Sequence, residues 1–305
     1  FSVTGFYEDS PDGIPADRIT DFETGPDGDL LDIDLVLREN PFGTGHLRLR
    51  QDGGDTLLQV NEDGKGGDWR TLATLEGTAP GEFTRENFSR DFDPSGAGRP
   101  IDGTQGPDRL TGGADHDRIA ALAGGDRLLG LDGNDSLDGG DGADTLDGGR
   151  NDDVLIGGEG ADWADYSGED DAEDKIHGTV VDLAAGAATD GWNDGDRLSG
   201  IENVVGSRWH DDLAGDAGDN ALVGLADEDR LSGREGDDTL SGGDGVDILD
   251  GGTGADRMDG GAGVDRLIGG PGADRLAGGW AADKFLFRNL SDLGVGPGER
   301  DVIRD

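Results

Sequence analysis

The sequence predicts an all-β chain: two parallel β-roll blocks with an N-terminal β cap domain. Three observations predict it. A nine-residue step, G-G-x-G-x-D-x-U-x with U a large apolar residue, fills residues 103–165 and again 206–284. A fixed period of this kind is the mark of units that stack rather than fold alone. Residues 1–92 lack the step and carry strand-like runs instead. Gly makes up 60 of the 305 residues, so turns recur too often for long helices.

The cap domain comes first. Leu30–Leu37 partly alternates apolar and acidic residues. His46–Arg50 and Thr56–Val60 flank Asp52-Gly53-Gly54-Asp55, a hairpin signal, and Thr71–Leu75 adds a further strand. Residues 93–102, with Pro94, Gly96, Gly98 and Pro100, read as a linker.

The first roll block follows. Its units start at residues 103, 112, 121, 130, 139, 148 and 157. Their sixth positions are Asp108, Asp117, Asp126, Asp135, Asp144, Asp153 and Asp162. Residues 166–205 are an insert with strand signals at His177–Leu183 and Leu198–Val205, through which the coil is expected to widen but continue. The second block has units starting at 206, 215, 224, 233, 242, 251, 260, 269 and 278. Its sixth positions are Asp211, Asn220, Asp229, Asp238, Asp247, Asp256, Asp265, Asp274 and Asp283. The eighth position is apolar throughout, as in Leu128, Leu146, Leu231 and Leu249.

Each unit has a physical reading. Six residues rich in Gly and Asp make a turn with positive-φ positions. The last three, such as Thr145-Leu146-Asp147, make a short strand with one side chain inward. Two units close one coil, and coils stack as parallel strands about 4.8 Å apart. Burying one Leu contributes about 1.5–3 kcal/mol. Ordering the backbone costs about 1–2 kcal/mol for every residue of the unit. Apolar burial loses, so something else must hold the coil. Sixth-position carboxylates and glycine carbonyls offer only oxygen, the ligand that Ca²⁺ takes roughly six to eight times over. With two units per coil, Asp108, Asp126, Asp144 and Asp162 should share one edge, and Asp117, Asp135 and Asp153 the other.

Composition narrows the function classes. The net charge of −44, from 25 basic and 69 acidic residues, excludes nucleic acid as a partner and calls for counterions. There is no Cys, hence no disulfide and no thiolate metal site. No apolar stretch reaches the roughly 18 residues of a membrane span. The sequence opens at Phe1 without a signal-peptide pattern and is read as a fragment. His46, His116, His177 and His210 form no H-E-x-x-H, and there is no G-x-S-x-G. The chain is therefore expected not to be an enzyme, any catalytic part lying outside it. Asp190–Gly195 lacks the terminal Glu of an EF-hand loop. The five Trp residues could bind sugar, but caps on the core are the expected role.

The nonapeptide resembles that of the RTX (repeats-in-toxin) family, also known as hemolysin-type calcium-binding repeats, over about half the chain. The resemblance implies an RTX β-roll solenoid with calcium between turn n and turn n+2. The implied ligands are backbone carbonyls and Asp108, Asp117, Asp126, Asp135, Asp144, Asp153, Asp162, Asp211, Asp229, Asp238, Asp247, Asp256, Asp265, Asp274 and Asp283. Seven units then allow at most five such ions, and nine at most seven. Ala121-Leu122, Trp209, Asn220 and Ala281 depart from the pattern and weaken their sites. Asp115, Asn151 and Asp227 also replace Gly, but Asn and Asp tolerate left-handed backbone.

The cap resembles the region that follows repeats in type I secretion target domains. Residues 285–305 match residues 1–21 without a gap, with Phe285, Asp301, Ile303 and Asp305 identical to Phe1, Asp17, Ile19 and Asp21. A second cap is therefore expected to start at residue 285, in a parent alternating rolls and caps every 284 residues or so. The family implies a secreted, extracellular protein, possible also at the cell surface, exported by a type I secretion exporter and folded by calcium. Two alternatives stay open: the stalk of a surface adhesin, and an auxiliary domain of a secreted protease, lipase or alginate epimerase.

Overall fold

A computed structural model describes residues 2–3, 17–19, 32–33, 47–60, 70–80, 83, 97–168, 178–289, 292 and 300–304. They divide into two compact units, Phe1–Arg99 with Gly113–Asp117, and Pro100–Gly112 with Arg118–Asp305.

In the first unit, Leu47–Asp52 and Asp55–Val60 form the expected hairpin, turning at Gly53-Gly54 with Gly53 at φ 65°. Arg70–Leu75 pairs antiparallel with Asp55–Val60, and Asp17–Ile19 adds in parallel. The core is Leu47, Leu58, Val60, Leu72, Ala73, Leu75 and Phe83. The Thr56 hydroxyl donates to Thr78 O at 2.9 Å, which ties the hairpin to the following loop. Of the strand signal at Leu30–Leu37, Asp32–Ile33 is a strand paired with Ser2–Val3, and the rest lies outside the described residues.

The second unit is the roll. One sheet stacks ten parallel strands from Arg109–Thr111 to Val302–Arg304. Its inward residues stay in register from coil to coil: Leu110, Leu128, Leu146, Ala164, Val204, Leu222, Leu240, Met258, Leu276 and Ile303. The facing sheet aligns Ile119, Leu137, Leu155 and Leu198, then Leu213, Leu231, Leu249, Leu267 and Phe285. The two columns merge into one core.

Three features differ from the expectations. The strands are longer than three residues: Thr145–Arg150 runs into the next unit, and Gly149 pairs with Leu131. The leading glycines keep extended pairing because the identical turn beneath them offers matched backbone groups. Leu198–Val205 is two strands, Gly195–Ser199 in one sheet and Asn203–Val205 in the other, because Gly200 turns at φ 60°. A strand, Ala97–Asp102, forms where composition reads as linker; it ends its sheet, where Pro100 needs no partner for its missing N–H.

The insert explains how the coil widens. Trp163–Asp165, Asn203–Val205 and Ala221–Ala226 are consecutive neighbours, so one sheet passes straight through. The other gains an antiparallel hairpin, Val180–Asp182 with Ala187–Thr189, between Gly195–Ser199 and Asp212–Ala214. Arg234 clamps that hairpin: Nη1 and Nη2 reach the two Asp182 oxygens at 2.7 and 2.8 Å, and Nη1 also donates to Gly215 O at 2.7 Å.

Candidate metal centre

Every turn brings its sixth-position Asp to the seam between coils. In most coils the backbone N–H of the sixth-position residue donates to Oδ1 of the Asp one coil on. Along one edge, Asp108 donates to Asp126 at 2.7 Å, Asp126 to Asp144 at 2.8 Å and Asp144 to Asp162 at 2.8 Å. Along the other, Asp135 donates to Asp153 at 2.7 Å. In the second block the ladders run Asp211, Asp229, Asp247, Asp265, Asp283 and Asn220, Asp238, Asp256, Asp274. The alternation of edges follows from two turns per coil.

Oδ1 is thus satisfied, and Oδ2 is not. The Oδ2 atoms of Asp126, Asp144, Asp153, Asp162, Asp229, Asp238, Asp247, Asp256, Asp265, Asp274 and Asp283 are buried without a hydrogen-bond donor. An unsatisfied buried carboxylate oxygen is costly and needs an explanation. The leading glycine of the same unit supplies one. A Cβ on Gly139 would overlap Asp144 Oδ2 and come within 2.7 Å of Gly157 O, two units on. A Cβ on Gly260 would meet Asp265 Oδ2 at 2.5 Å and Gly278 O at 2.6 Å. A carboxylate oxygen and a carbonyl oxygen therefore converge on one spot that a side chain would fill. The donors are all oxygen, which fits a hard divalent cation. Among the described residues no three Asp, Glu, His or Cys side chains gather in one metal-holding group. Carbonyls must then supply much of any coordination.

Burial sets the charge state of the metal-free ladder. It pushes Asp153 up to about 9, opposed by the Asp135 N–H and reinforced by the charges of Asp135, Asp196 and Asp190. Asp229 rises to about 8 and Asp274 to about 7 for the same first reason. Asp238, Asp247 and Asp256 rise to about 6. Asp144, Asp162 and Asp265 move in the same direction.

Three expected residues differ from the rest. Asp108 Oδ2 accepts the Thr104 N–H at 2.6 Å and the Thr104 hydroxyl at 2.9 Å. Asp117 Oδ2 accepts the Gly113 N–H at 2.6 Å. Asp211 Oδ2 accepts the Ser207 N–H at 2.7 Å, and its Oδ1 takes the Ser207 hydroxyl and the Thr179 N–H. Their own turns occupy the oxygen that is open elsewhere. The departures from the repeat vary in effect. At Ala121-Leu122 the turn survives with Leu122 at φ 78°, and Asp126 Oδ2 stays open. Asn151 and Asp227 adopt left-handed backbone at φ 79° and 72°. Asn220 instead places an amide in the seam, donating to Glu202 O at 2.9 Å.

Three ladder residues lie outside the nonapeptide count. Asp153 N–H donates to Asp196 Oδ1 at 2.9 Å, Asp162 N–H to Glu202 Oε2 at 2.9 Å, and Asp274 N–H to Asp301 Oδ1 at 3.1 Å. All three precede an inward apolar residue by two: Leu198, Val204 and Ile303. That acid-x-apolar spacing was the available signal, hidden once the nine-residue step broke. Asp196 Oδ2 accepts the Tyr166 hydroxyl at 3.1 Å.

Among the described residues no helix is long and apolar enough to cross a membrane. No curated protein matches the chain. The family model for the RTX calcium-binding nonapeptide repeat matches residues 101–128, 129–164, 198–231, 205–240, 214–249, 223–258 and 250–285. Repeats of this type bind calcium, are structural rather than catalytic, and are typical of extracellular proteins. With its stacked coils and its Asp seam, the repeat region of this chain, residues 101–164 and 198–285, belongs to the RTX calcium-binding nonapeptide-repeat family.

Proposed function

We propose that this chain is a calcium-dependent folding and secretion module of a larger, type I-secreted RTX protein. One observation carries the reading: a run of buried Asp Oδ2 atoms with no protein donor, those of Asp144, Asp162, Asp229, Asp238, Asp247, Asp256 and Asp265 each converging with a glycine carbonyl. The ligands on this reading are the open residues Asp126, Asp144, Asp153, Asp162, Asp229, Asp238, Asp247, Asp256, Asp265, Asp274 and Asp283, together with Asp135 on the Asp153 edge. Asp108, Asp117 and Asp211, engaged by their own turns, are the weakest of the expected set. Calcium supplies positive charge in the seam and converts carboxylate repulsion into attraction. In a cell interior poor in calcium the chain stays extended and passes through a type I exporter. Outside, millimolar calcium exceeds the affinity of about 10⁻⁴–10⁻³ M typical of extracellular modules, and folding prevents return.

Circular dichroism during a calcium titration tests this. Strand signal should be low in chelator and rise cooperatively by 10 mM calcium, about ten times the upper affinity bound. Equal signal at both ends sinks the reading. Asp144→Ala combined with Asp247→Ala should shift the midpoint upward and lower the cooperativity.

A second reading, a spacer in a surface adhesin, is favoured by the unbroken passage of one sheet through the insert and on past residue 284. Fractionation of producing cells separates the two. Retention at the surface supports the spacer, and release into the medium supports the secreted module.

A further inference from the structure

The family match ends at residue 285, but the coil does not. Val302–Arg304 pairs with Arg275–Ala277 in the register used throughout the sheet, Leu276 facing Ile303. The Val302 N–H donates to Asp274 O at 2.8 Å, the bond that opens most rungs of the sheet. Asp301 stands where a sixth-position Asp would. Its Oδ1 accepts the Asp274 N–H at 3.1 Å, and its Oδ2 is buried with no donor. The step from Asp274 to Asp301 is 27 residues rather than the 18 of the nonapeptide coils. This rung is therefore built by a different segment that arrives at the same geometry.

Apolar burial does not account for it. Val302 and Ile303 are 44% and 46% exposed, whereas the inward residues of the interior coils are buried. Asp301 instead brings a second carboxylate to Asp274: its Oδ1 takes the Asp274 N–H, and its charge acts on the Asp274 carboxyl. Asp274 is fully buried with its own Oδ2 open. Asp292, 2% exposed, adds negative charge beside Asp274 while accepting the N–H groups of Arg288 and Asn289 at 2.7 and 2.8 Å. A segment held by three backbone pairs beside the carboxylates of Asp274 and Asp292 is repelled when they are ionised unless a cation lies between.

We infer that Asp301 and Asp274 together take a calcium ion at a site that fastens the segment after the repeats onto the last nonapeptide coil. The site rests on the calcium reading above and adds a ligand from outside the repeat. Calcium thereby docks a non-repeat segment as well as closing the coils.

The test uses the full chain in 10 mM calcium, with Asp301→Asn, which keeps Oδ1 as acceptor and removes the open oxygen. Equilibrium dialysis counts bound ions, and hydrogen exchange reads the amides of residues 300–304 and 212–280. The variant should bind one ion fewer. Its residues 300–304 should exchange about tenfold faster, as for a site lost at roughly ten times its Kd, with 212–280 unchanged. Full stoichiometry and unchanged protection at 300–304 overturn the inference and leave the folding reading intact. Loss of protection spread through 212–280 also overturns it, since the role would not be local. A wild-type chain that binds no calcium sinks both. In crystals grown with calcium, the absence of an ion against Asp301 Oδ2 overturns the site independently of any variant.

Discussion

Asp247 is fully buried, with Oδ1 on the Asp229 N–H and Oδ2 facing no donor, and burial raises it to about 6. With Asp229 at about 8 and Asp153 at about 9, the folded metal-free seam binds protons that an unfolded chain, near 3.9, has released. The stability these protons contribute is fully present below about pH 4 and is lost as pH rises through about 6 to 9. In chelator, strand signal should therefore increase as pH falls from 8 to 5. In calcium the dependence should invert, because protons compete for the same oxygens, and calcium added to the protonated, folded chain at pH 5 should release protons into weak buffer. A calcium midpoint that does not move with pH would count against the ladder. Asn220 is the internal contrast. Its amide donates to Glu202 O at 2.9 Å, so this rung needs no cation. Asn220→Asp should cost about 1–3 kcal/mol in chelator, the penalty of a lost donor in a buried seam. In calcium it should add one bound ion by dialysis.

At the scale of the turn, two positions make opposite demands. Position two carries Leu122, Leu131, Leu225 and Arg234 at φ between 78° and 84°, left-handed backbone that bulky residues rarely adopt. Leu131 is 40% exposed, so its side chain returns little for that strain. Leu131→Gly should stabilise the calcium-loaded roll by up to about 1 kcal/mol, the strain of roughly 1–2 kcal/mol less the extra freedom of unfolded Gly. Position four is closed at Gly142: φ is 149°, and a Cβ would overlap the Gly124 carbonyl. Gly142→Ala should cost at least about 2 kcal/mol, from strain plus displacement of the coil below. Guanidinium unfolding in calcium checks both signs. These φ values were not legible in the sequence, because a Leu in place of Gly reads as a broken turn. The inward columns were legible, since Leu128 and Leu146 recur at fixed phase and burial enforces the phase. Asp196, Glu202 and Asp301 were hidden for the converse reason. These rungs place an acid two residues before an inward apolar side chain, and they do not need nine residues between acids.

For the whole molecule the charge of −44 raises a question of cause. Repulsion among exposed carboxylates and desolvation of the buried seam both oppose folding, and calcium could relieve either. They respond differently to salt. Exposed charges are screened at 1 M NaCl, where the Debye length is about 3 Å, while buried pairs are screened much less. The open oxygens of Asp144, Asp247 and Asp265 lie out of solvent reach, so sodium in bulk does not satisfy them. Magnesium holds its waters and demands near-octahedral geometry at about 2.0–2.1 Å, which suits a carbonyl-rich seam poorly. In chelator with 1 M NaCl, or with 10 mM magnesium, the chain should keep the low strand signal of the calcium-free state, and calcium added on top should restore the fold. If salt alone restores it, general repulsion is the barrier and the seam is not the switch. If magnesium restores it at similar concentration, the seam binds by charge without selecting for the larger ion.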